Sequence, residues 1–206
     1  MSQYYEIHPD NPQPRLIRHA VDIVRDGGIA VLPTDSSYAI VCHLDDKRAV
    51  ERIRRIRQLD KKHNFTLVCR DLSEIANYAR VDNAAYRLLK AYTPGPYTFL
   101  LRATAEVPRR LQHPKRKTIG IRVPDNAICQ ELLAQHGQPL MSSTLTLPGR
   151  EFPETDAQAI RDQLEHQVDL IIDGGHCGIE PTTVVDLTEP VPSIIRHGLG
   201  STEGLE

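Results

Sequence analysis

The sequence has no tryptophan, few aromatic residues and no long apolar run, and each absence excludes something. Aromatic residues make up 5% of the 206 residues, so the core must be built from aliphatic side chains. No apolar stretch approaches the roughly 20 residues of a membrane-spanning helix. The first residues also lack the basic and apolar regions of a signal peptide. We therefore expect a cytoplasmic protein that does not bind a membrane.

Familiar metal and catalytic motifs are missing as well. The four cysteines are widely spaced without a CxxC pair, which argues against zinc ribbons and redox dithiols. We therefore expect the protein in a reducing compartment, with its thiols free. The nine histidines show no metal-ligand spacing, so we expect no tightly bound metal. The chain has no P-loop, HExxH or GxSxG motif and no kinase signature. No catalytic residue can therefore be assigned from the sequence.

The pattern of apolar residues is that of an α/β protein. Apolar residues make up 40% and charged residues 25% of a chain long enough for one domain with a sizeable core. Strands are predicted at 29–32, 38–42, 65–69, 97–101, 118–123, 139–143, 168–172, 182–187 and 193–196. Helices are predicted at 15–26, 46–57, 71–78, 83–91, 125–136 and 156–166. Because several strands follow each other directly, we expect a mixed sheet with flanking helices.

One stretch has the layout of a binding turn. An apolar run stops at Pro33, opens into small hydroxyl residues and an aspartate, and resumes at Tyr38. Loops held by rigid strands are where binding groups tend to lie. The stretch 33–38 is therefore either a substrate-facing turn or an ordinary connection between two strands.

Positive charge is concentrated in two clusters although the formal net charge is −2. The first, at 47–62, is mixed with acids, whereas the second has none and consists of Arg109, Arg110, Lys115, Arg116 and Lys117. Guanidinium groups bind phosphate oxygens in pairs, and each neutralised phosphate releases counterions. The second cluster therefore favours an anionic partner, the alternative being a solvated loop.

Two arginines stand at the ends of strand-like runs. Arg122 follows Ile119-Gly120-Ile121, and Arg196 follows Ile194-Ile195. A buried charge needs an opposite charge, so each arginine should meet either a carboxylate of this chain or an anionic ligand. Thr182 lies between Pro181 and a strand, a placement that suits a phosphate contact.

Five segments, in this order along the chain, resemble the YrdC/YciO family, whose members include L-threonylcarbamoyladenylate synthases. They are PTDSSY at 33–38, TPGPYT at 93–98, GIRVP at 120–124, PTTVVD at 181–186 and RHG at 196–198. The whole chain is most similar to the YciO branch. The resemblance runs over 15–198, which leaves 1–14 as an N-terminal extension with three prolines and 199–206 as a frayed C-terminal tail.

The resemblance implies a fold, a reaction and a set of binding residues. The fold would be a twisted open sheet with a basic concave cavity. The reaction would join ATP, carried with Mg²⁺, to L-threonine and bicarbonate, and its product would modify adenosine 37 of tRNA. The implied substrate-binding residues are Thr34, Tyr38, Arg55 and Arg57. The implied nucleotide- and phosphate-binding residues are Lys61, Arg122, Ser142, Thr144, Thr182 and Arg196.

Two motifs depart from the synthase pattern. The K-x-R motif of the synthases reads Arg55-Ile56-Arg57 here, and a planar guanidinium does not replace a compact ammonium group. The S-x-N motif reads Thr144-Leu145-Thr146, so an amide donor is lost. Whether Lys61 or Asn64 takes the next family position is open.

These observations leave two functions to compare. The first is a nucleotide- and RNA-binding member of the family with weak or altered synthase activity. The second is a protein that binds tRNA or double-stranded RNA and has no synthase activity. The second basic cluster would carry the RNA contacts in both cases.

Overall fold

The computed structural model describes residues 1–60, 63 and 65–206 and confirms an α/β fold with a mixed sheet. The strands are β1 (Gln3–Glu6), β2 (Ala30–Leu32), β3 (Ala39–His43), β4 (Thr66–Val68), β5 (Tyr97–Arg102), β6 (Thr118–Arg122), β7 (Leu140–Thr144), β8 (Leu170–Asp173), β9 (Thr183–Asp186) and β10 (Ser193–Arg196). The helices are α1 (Pro14–Arg25), α2 (Lys47–Arg57), α3 (Leu72–Tyr78), α4 (Asn83–Tyr92), α5 (Ala127–His136) and α6 (Ala157–Leu164), and one 3₁₀ turn covers Arg109–Leu111.

Of the six helices in the described residues, five begin where a side chain accepts a free backbone N–H group of the first turn, and α1 begins at Pro14 without such a side chain. Asp46, Asp71 and Asp156 each accept from the amide three residues later, at 2.9–3.0 Å. The helix predicted at 125–136 begins two residues later, at Ala127. The cap is Asn126, whose side chain accepts from the Cys129 amide at 3.0 Å.

All ten strands belong to one sheet, in the order β1-β8-β2-β3-β7-β4-β6-β5-β9-β10. The pairs β1/β8, β2/β8, β4/β6 and β5/β9 are parallel, and the other neighbours are antiparallel. Strands close in sequence, such as β2 and β3, lie side by side, whereas β7 inserts between β3 and β4. The sheet therefore brings the 33–38 turn toward the strands that carry Arg122 and Ser142.

The two faces of the sheet differ in character. One face is apolar over most of its width and packs against side chains of α2, α3, α4 and α6. On the other face, α1 and α5 pack over the apolar residues of β8, β2 and β3. Further along that second face, the side chains on β7, β4, β6 and β5 include Ser142, Thr66, Arg122 and Thr98. Half of one face is thus built from polar residues, and this half carries the candidate site.

Both ends of the chain are more ordered than the sequence predicted. Gln3–Glu6 forms an edge strand parallel to β8, so part of the expected extension belongs to the sheet. At the other end, the expectation of a frayed tail is wrong. The backbone carbonyls of Ser201 and Glu203 accept hydrogen bonds from the hydroxyls of Tyr97 and Tyr92, and Leu205 is buried. The domain limits 15–198 stay a prediction.

Candidate functional site

The polar half of the sheet is set by strand register. Thr66 of β4 pairs with Ser142 of β7 on one side and with Gly120 of β6 on the other. A Cβ added at Gly120 would lie 3.0 Å from the Thr66 Oγ1 and 3.2 Å from the Thr98 Cγ2. Only glycine therefore leaves this surface open between the hydroxyls. We call the surface formed by Thr66, Thr98, Gly120, Arg122, Ser142 and Thr182 the polar face.

The turn between β2 and β3 is held by Thr34. Its Oγ1 accepts hydrogen bonds from the amides of Ser36 and Ser37 at 3.1 and 3.2 Å and donates to the Ser37 carbonyl at 2.6 Å. Thr34 is buried, so in this structure its hydroxyl shapes the turn. If Thr34 binds threonine as predicted, its hydroxyl must give up one of these hydrogen bonds within the turn and form one with the substrate instead.

Arg122 meets a carboxylate of its own chain. Its Nη2 donates to the Asp35 Oδ1 at 2.6 Å and to the Ser36 Oγ at 3.2 Å. The second carboxylate oxygen of Asp35 accepts from the backbone amide of Asp125 at 2.8 Å. Of the two alternatives left by the sequence, the internal ion pair is the one present. The Arg122 Nε is nevertheless buried with no hydrogen-bond partner among the described residues.

Among the described residues, the Arg196 side chain has neutral partners. Its Nε and Nη2 donate to the Thr182 carbonyl at 3.0 and 2.8 Å, and Nη2 also reaches the Thr182 Oγ1 at 3.1 Å. The Thr182 Oγ1 lies 2.7 Å from the Thr98 Oγ1, so the arginine is tied to the polar face. Burial lowers the pKa of Arg196, and the positive charge of Arg122 lowers it further.

Two guanidinium groups therefore converge at one end of the polar face. In the described residues only one carboxylate, that of Asp35, forms an ion pair with either of them. The remaining positive charge is exposed on the Arg196 side and suits an anion such as a phosphate group. The structure thus brings together three of the predicted phosphate-binding residues, Arg122, Thr182 and Arg196.

Arg57 and Thr146, which belong to the two altered motifs, lie near β7 and apart from Arg122 and Arg196. Arg57 donates from Nε to the Thr146 carbonyl at 3.1 Å and from Nη1 to the Ser143 Oγ, and burial lowers its pKa. Arg55 is exposed, and its side chain makes no hydrogen bond or ion pair with the described residues. Ser142 is buried on the polar face, and Thr144 is exposed two residues further along β7. Lys61 lies outside the described residues.

Tyr38 packs beneath the turn between β2 and β3 and supports it. It is fully buried, and its hydroxyl donates to the Gly175 carbonyl at 2.6 Å. Burial and the neighbouring Cys177 raise the pKa of Tyr38. The Cys129 thiol donates to the Pro33 carbonyl at 3.0 Å, so a second buried side chain also supports the turn. These contacts make Tyr38 a support for the turn in this structure.

The second basic cluster does not form one continuous surface. Lys115 and Arg116 line a cavity of about 360 Å³ with Arg102 and Thr118, beside the polar face. Arg109 and Lys117 line a different cavity, and Arg109 also lines a third cavity with Arg110, which lies 3.3 Å from Asp45 in an exposed ion pair. The cluster therefore divides among separate concave surfaces.

Sequence reasoning missed several contributors to the site. Asp35 and Ser36 were part of the predicted turn, but their contact with Arg122 spans 87 and 86 positions in the chain and has no local signal. Thr98 follows the TPGPY turn and was assigned to a strand without a role. In the part of the chain that the structure describes, no three His, Cys, Asp or Glu side chains come together to hold a metal ion. Within the same ranges, no helix has the length and apolar character that crossing a bilayer requires.

Comparison with known proteins identifies the family and the fold. The Sua5/yciO/yrdC family model, described as "Telomere recombination", matches residues 22–198. The Escherichia coli (strain K12) protein YciO is 60% identical over 203 residues, covering 98% of each chain. Its crystal structure superposes with a TM-score of 0.96, at 59% identity and with complete coverage of both chains.

A more distant relative carries a functional name. A putative threonylcarbamoyl-AMP synthase of Methanocaldococcus jannaschii is 26% identical over 196 residues, which cover 95% of this chain and 91% of the relative. The resemblance drawn from the five motifs is thereby confirmed. The chain belongs to the Sua5/YciO/YrdC family.

Proposed function

We propose that the polar face binds ATP and L-threonine and that the protein makes threonylcarbamoyl-AMP, more slowly than the established synthases. One observation carries the proposal: Arg122 and Arg196 converge at one end of the polar face with a single carboxylate partner. Such a surplus of guanidinium groups beside hydroxyls is suited to the phosphates of a nucleotide. The likeness to a putative synthase supports the same substrate class.

The reaction would proceed in two bond-forming steps. The amine of threonine attacks the carbon of bicarbonate, a C–N bond forms, and water leaves to give a carbamate. A carbamate oxygen then attacks the α-phosphorus of ATP, and the bond to pyrophosphate breaks. The arginines would neutralise charge on the phosphates while the turn and the hydroxyls hold the reactants in line. Mg²⁺ would arrive with the nucleotide, because both oxygens of the Asp35 carboxylate already accept hydrogen bonds.

The altered motifs account for the expected low rate. Two of the N–H groups of Arg57 already donate to the Thr146 carbonyl and to Ser143. Arg57 could meet a substrate only through its remaining N–H groups or by releasing these partners. Thr146 also lacks the amide donor that the synthase motif supplies at that position.

The test is product formation. The protein is incubated with ATP, L-threonine and bicarbonate, and threonylcarbamoyl-AMP is measured by chromatography with mass detection. We expect product that requires all three substrates and falls at least tenfold in Arg196→Gln, because charge-assisted hydrogen bonds to phosphate contribute about 1.5–3 kcal/mol. Arg161→Gln, which removes an equal charge from α6, should behave like the wild type. Absence of product, with an established synthase active alongside, would contradict the proposal.

A second candidate function rests on a different observation. Arg109, Lys115, Arg116 and Lys117 form no ion pair with any described residue, so their charge is available to an anion. We propose that this cluster binds double-stranded RNA or tRNA through phosphates. Binding should weaken steeply with salt, and reversing the charges at 109, 110 and 115–117 should reduce both affinity and salt dependence. Affinity that does not change with salt would reject this function.

A further inference from the structure

A second cavity with the features of a ligand site lies apart from the polar face. Its volume is about 630 Å³, within the range of small-molecule sites. Three cationic side chains line it, those of Arg80, Arg109 and Lys117, together with the apolar residues Ala103 and Val107. We call it the Arg80 cavity. It shares no lining residue with the polar face or with the cavity beside that face.

The three cations come from separate segments, and hydrogen bonds fix the backbone of two of them. The amide of Arg80 donates to the Arg102 carbonyl at 2.8 Å, and a bridge between Ala79 and Ala103 joins the two segments. The amide of Lys117 donates to the His113 carbonyl at 2.9 Å, and the Lys117 carbonyl accepts from the Ala103 amide at 2.9 Å. Two of the cations are thus held on opposite sides of Ala103.

The third cation, Arg109, begins the 3₁₀ turn Arg109–Leu111. That turn is anchored by Leu111, which is 3% exposed, and is preceded by Val107, which is 1% exposed. The Gln112 amide group donates to the Val107 carbonyl at 2.8 Å and closes the same segment. Buried side chains on both sides of Arg109 therefore set its position.

Lys117 adopts a backbone conformation that favours glycine. Its φ is +57°, in the left-handed region that few other residues adopt. Such strain persists where the surrounding structure imposes it, and it is concentrated at functional sites. Here the two backbone hydrogen bonds at 113 and 103 impose it and leave the ammonium group at the cavity.

No acidic side chain lines the Arg80 cavity, and none of its three cations forms an ion pair with a described residue. Glu106 and Asp45 line the adjoining cavity, which shares Ala105 and Arg109 with the Arg80 cavity, but neither carboxylate forms an ion pair with Arg109. Three like charges around one concavity repel each other unless an anion lies between them. The apolar residues Ala103, Ala105 and Val107 add a surface for a non-ionic part of a ligand.

We propose that the Arg80 cavity binds a phosphate ester, with Arg80, Arg109 and Lys117 on the phosphate and the apolar residues against the attached group. The ester could be a free nucleotide or one unit of an RNA backbone, since both present the same charged group. This site lies apart from Arg122 and Arg196, so it goes beyond the proposed synthase function. It shares Arg109 and Lys117 with the cluster proposed to bind RNA, but binding of AMP or pyrophosphate there would not require RNA.

The proposal is tested by nuclear magnetic resonance on the ¹⁵N-labelled full chain. AMP, pyrophosphate and a twelve-base-pair RNA duplex are titrated separately, and the amide shifts of 103–107 and 117 are followed. We expect saturable shifts at these amides. The double variant Arg80→Gln/Lys117→Gln should raise the dissociation constant measured there about tenfold or more, because charge-assisted hydrogen bonds to phosphate are lost.

The matched control is Arg15→Gln/Arg18→Gln, which removes the same charge from exposed positions of α1 and should leave the shifts at 103–107 unchanged. Shifts with AMP or pyrophosphate identify a free phosphate compound as a sufficient ligand, whereas shifts with the duplex alone identify RNA. No shift with any of the three probes, or equal losses in both double variants, would overturn the proposal. Shifts at 34–38 on addition of AMP report separately on the polar face, so the two sites can fail independently.

Discussion

Arg122 and Asp35 form the most buried ion pair at the candidate site, with side chains that are 7% and 10% exposed. Desolvating two charges costs free energy, and their attraction offsets that cost only while both partners are present. The amide of Asp125 and the hydroxyl of Ser36 complete the hydrogen bonding around the pair. The pair therefore joins the β2–β3 turn to the end of β6.

Removing the carboxylate charge of Asp35 should destabilise the fold, because the buried guanidinium group of Arg122 would lose its opposite charge. We expect Asp35→Asn to lower the free energy of unfolding by about 3 kcal/mol, because Arg122 would remain buried without an opposite charge. Urea denaturation followed by circular dichroism measures this difference. Asp125→Asn is the matched control, since only the backbone amide of Asp125 takes part. Equal effects of the two substitutions would show that the ion pair is not responsible.

His136 makes stability depend on pH. It is 4% exposed at the end of α5, its Nε2 lies 3.1 Å from the His43 Nδ1, and Arg25 donates to its carbonyl. Burial, with contributions from His43 and Arg25, lowers the pKa of His136 from 6.5 to about 4. Because the folded-state pKa is depressed, the stabilisation is complete above about pH 6.5 and is lost as the pH falls toward 4.

We therefore expect the free energy of unfolding to decrease between pH 6.5 and pH 4, and His136→Gln to show a smaller decrease over the same range. Urea denaturation at a series of pH values gives both curves. The exposed His197 provides the comparison, and His197→Gln should keep the wild-type profile. An unchanged slope in His136→Gln would rule out this histidine as the cause.

At the scale of elements, periodic apolar patterns predicted the helices and most strands well. Ile17, Ala20, Val21 and Val24 show the spacing of a helix with one buried side, and the structure has α1 there. The strand β1 was missed because a four-residue strand with half-exposed side chains carries too little pattern. Its partner β8 lies more than 160 positions away, and no local sequence rule reports such a pairing.

The site itself was only partly predictable. The motifs identified Arg122, Thr182 and Arg196, which the structure brings together. The basic run at 109–117 suggested one RNA-binding surface, but the 3₁₀ turn and the backbone of Lys117 send its side chains to different cavities. The backbone turns decide which of these side chains line the same cavity, and those turns cannot be predicted from composition.

The close approach of the segment after β10 to the segment before β9 requires glycine at position 198. A Cβ there would lie 2.4 Å from the Pro181 carbonyl oxygen and 2.5 Å from that of Thr182. We expect Gly198→Ala to push the two segments apart and to lower the free energy of unfolding by about 1–3 kcal/mol. AMP binding should also weaken, because Arg196 would lose its hydrogen bonds to Thr182. Calorimetric titration and urea denaturation measure the two effects. Gly178→Ala, whose Cβ would lie 3.3 Å from the Ser36 carbonyl oxygen, should be milder. Full AMP affinity in Gly198→Ala would contradict this account.

At the scale of the whole molecule, the C-terminal residues belong to the core. Leu205 is 5% exposed, whereas Leu199, in the same segment, is 44% exposed. We expect Leu205→Ala to lower the free energy of unfolding by about 2 kcal/mol or more, and Leu199→Ala to have a clearly smaller effect. Thermal and urea denaturation of the two variants provide the comparison. Equal losses would mean that burial of Leu205 does not hold the segment.

The pairing of β1 with β8 also has a consequence for synthesis on the ribosome. Gln3 and Tyr4 are made more than 160 residues before their partners Leu170 and Ile171. The amino-terminal strand must therefore wait for most of the chain to emerge before it can join the sheet. Contacts of such long sequence separation form slowly, so β1 is among the last strands to reach its native position.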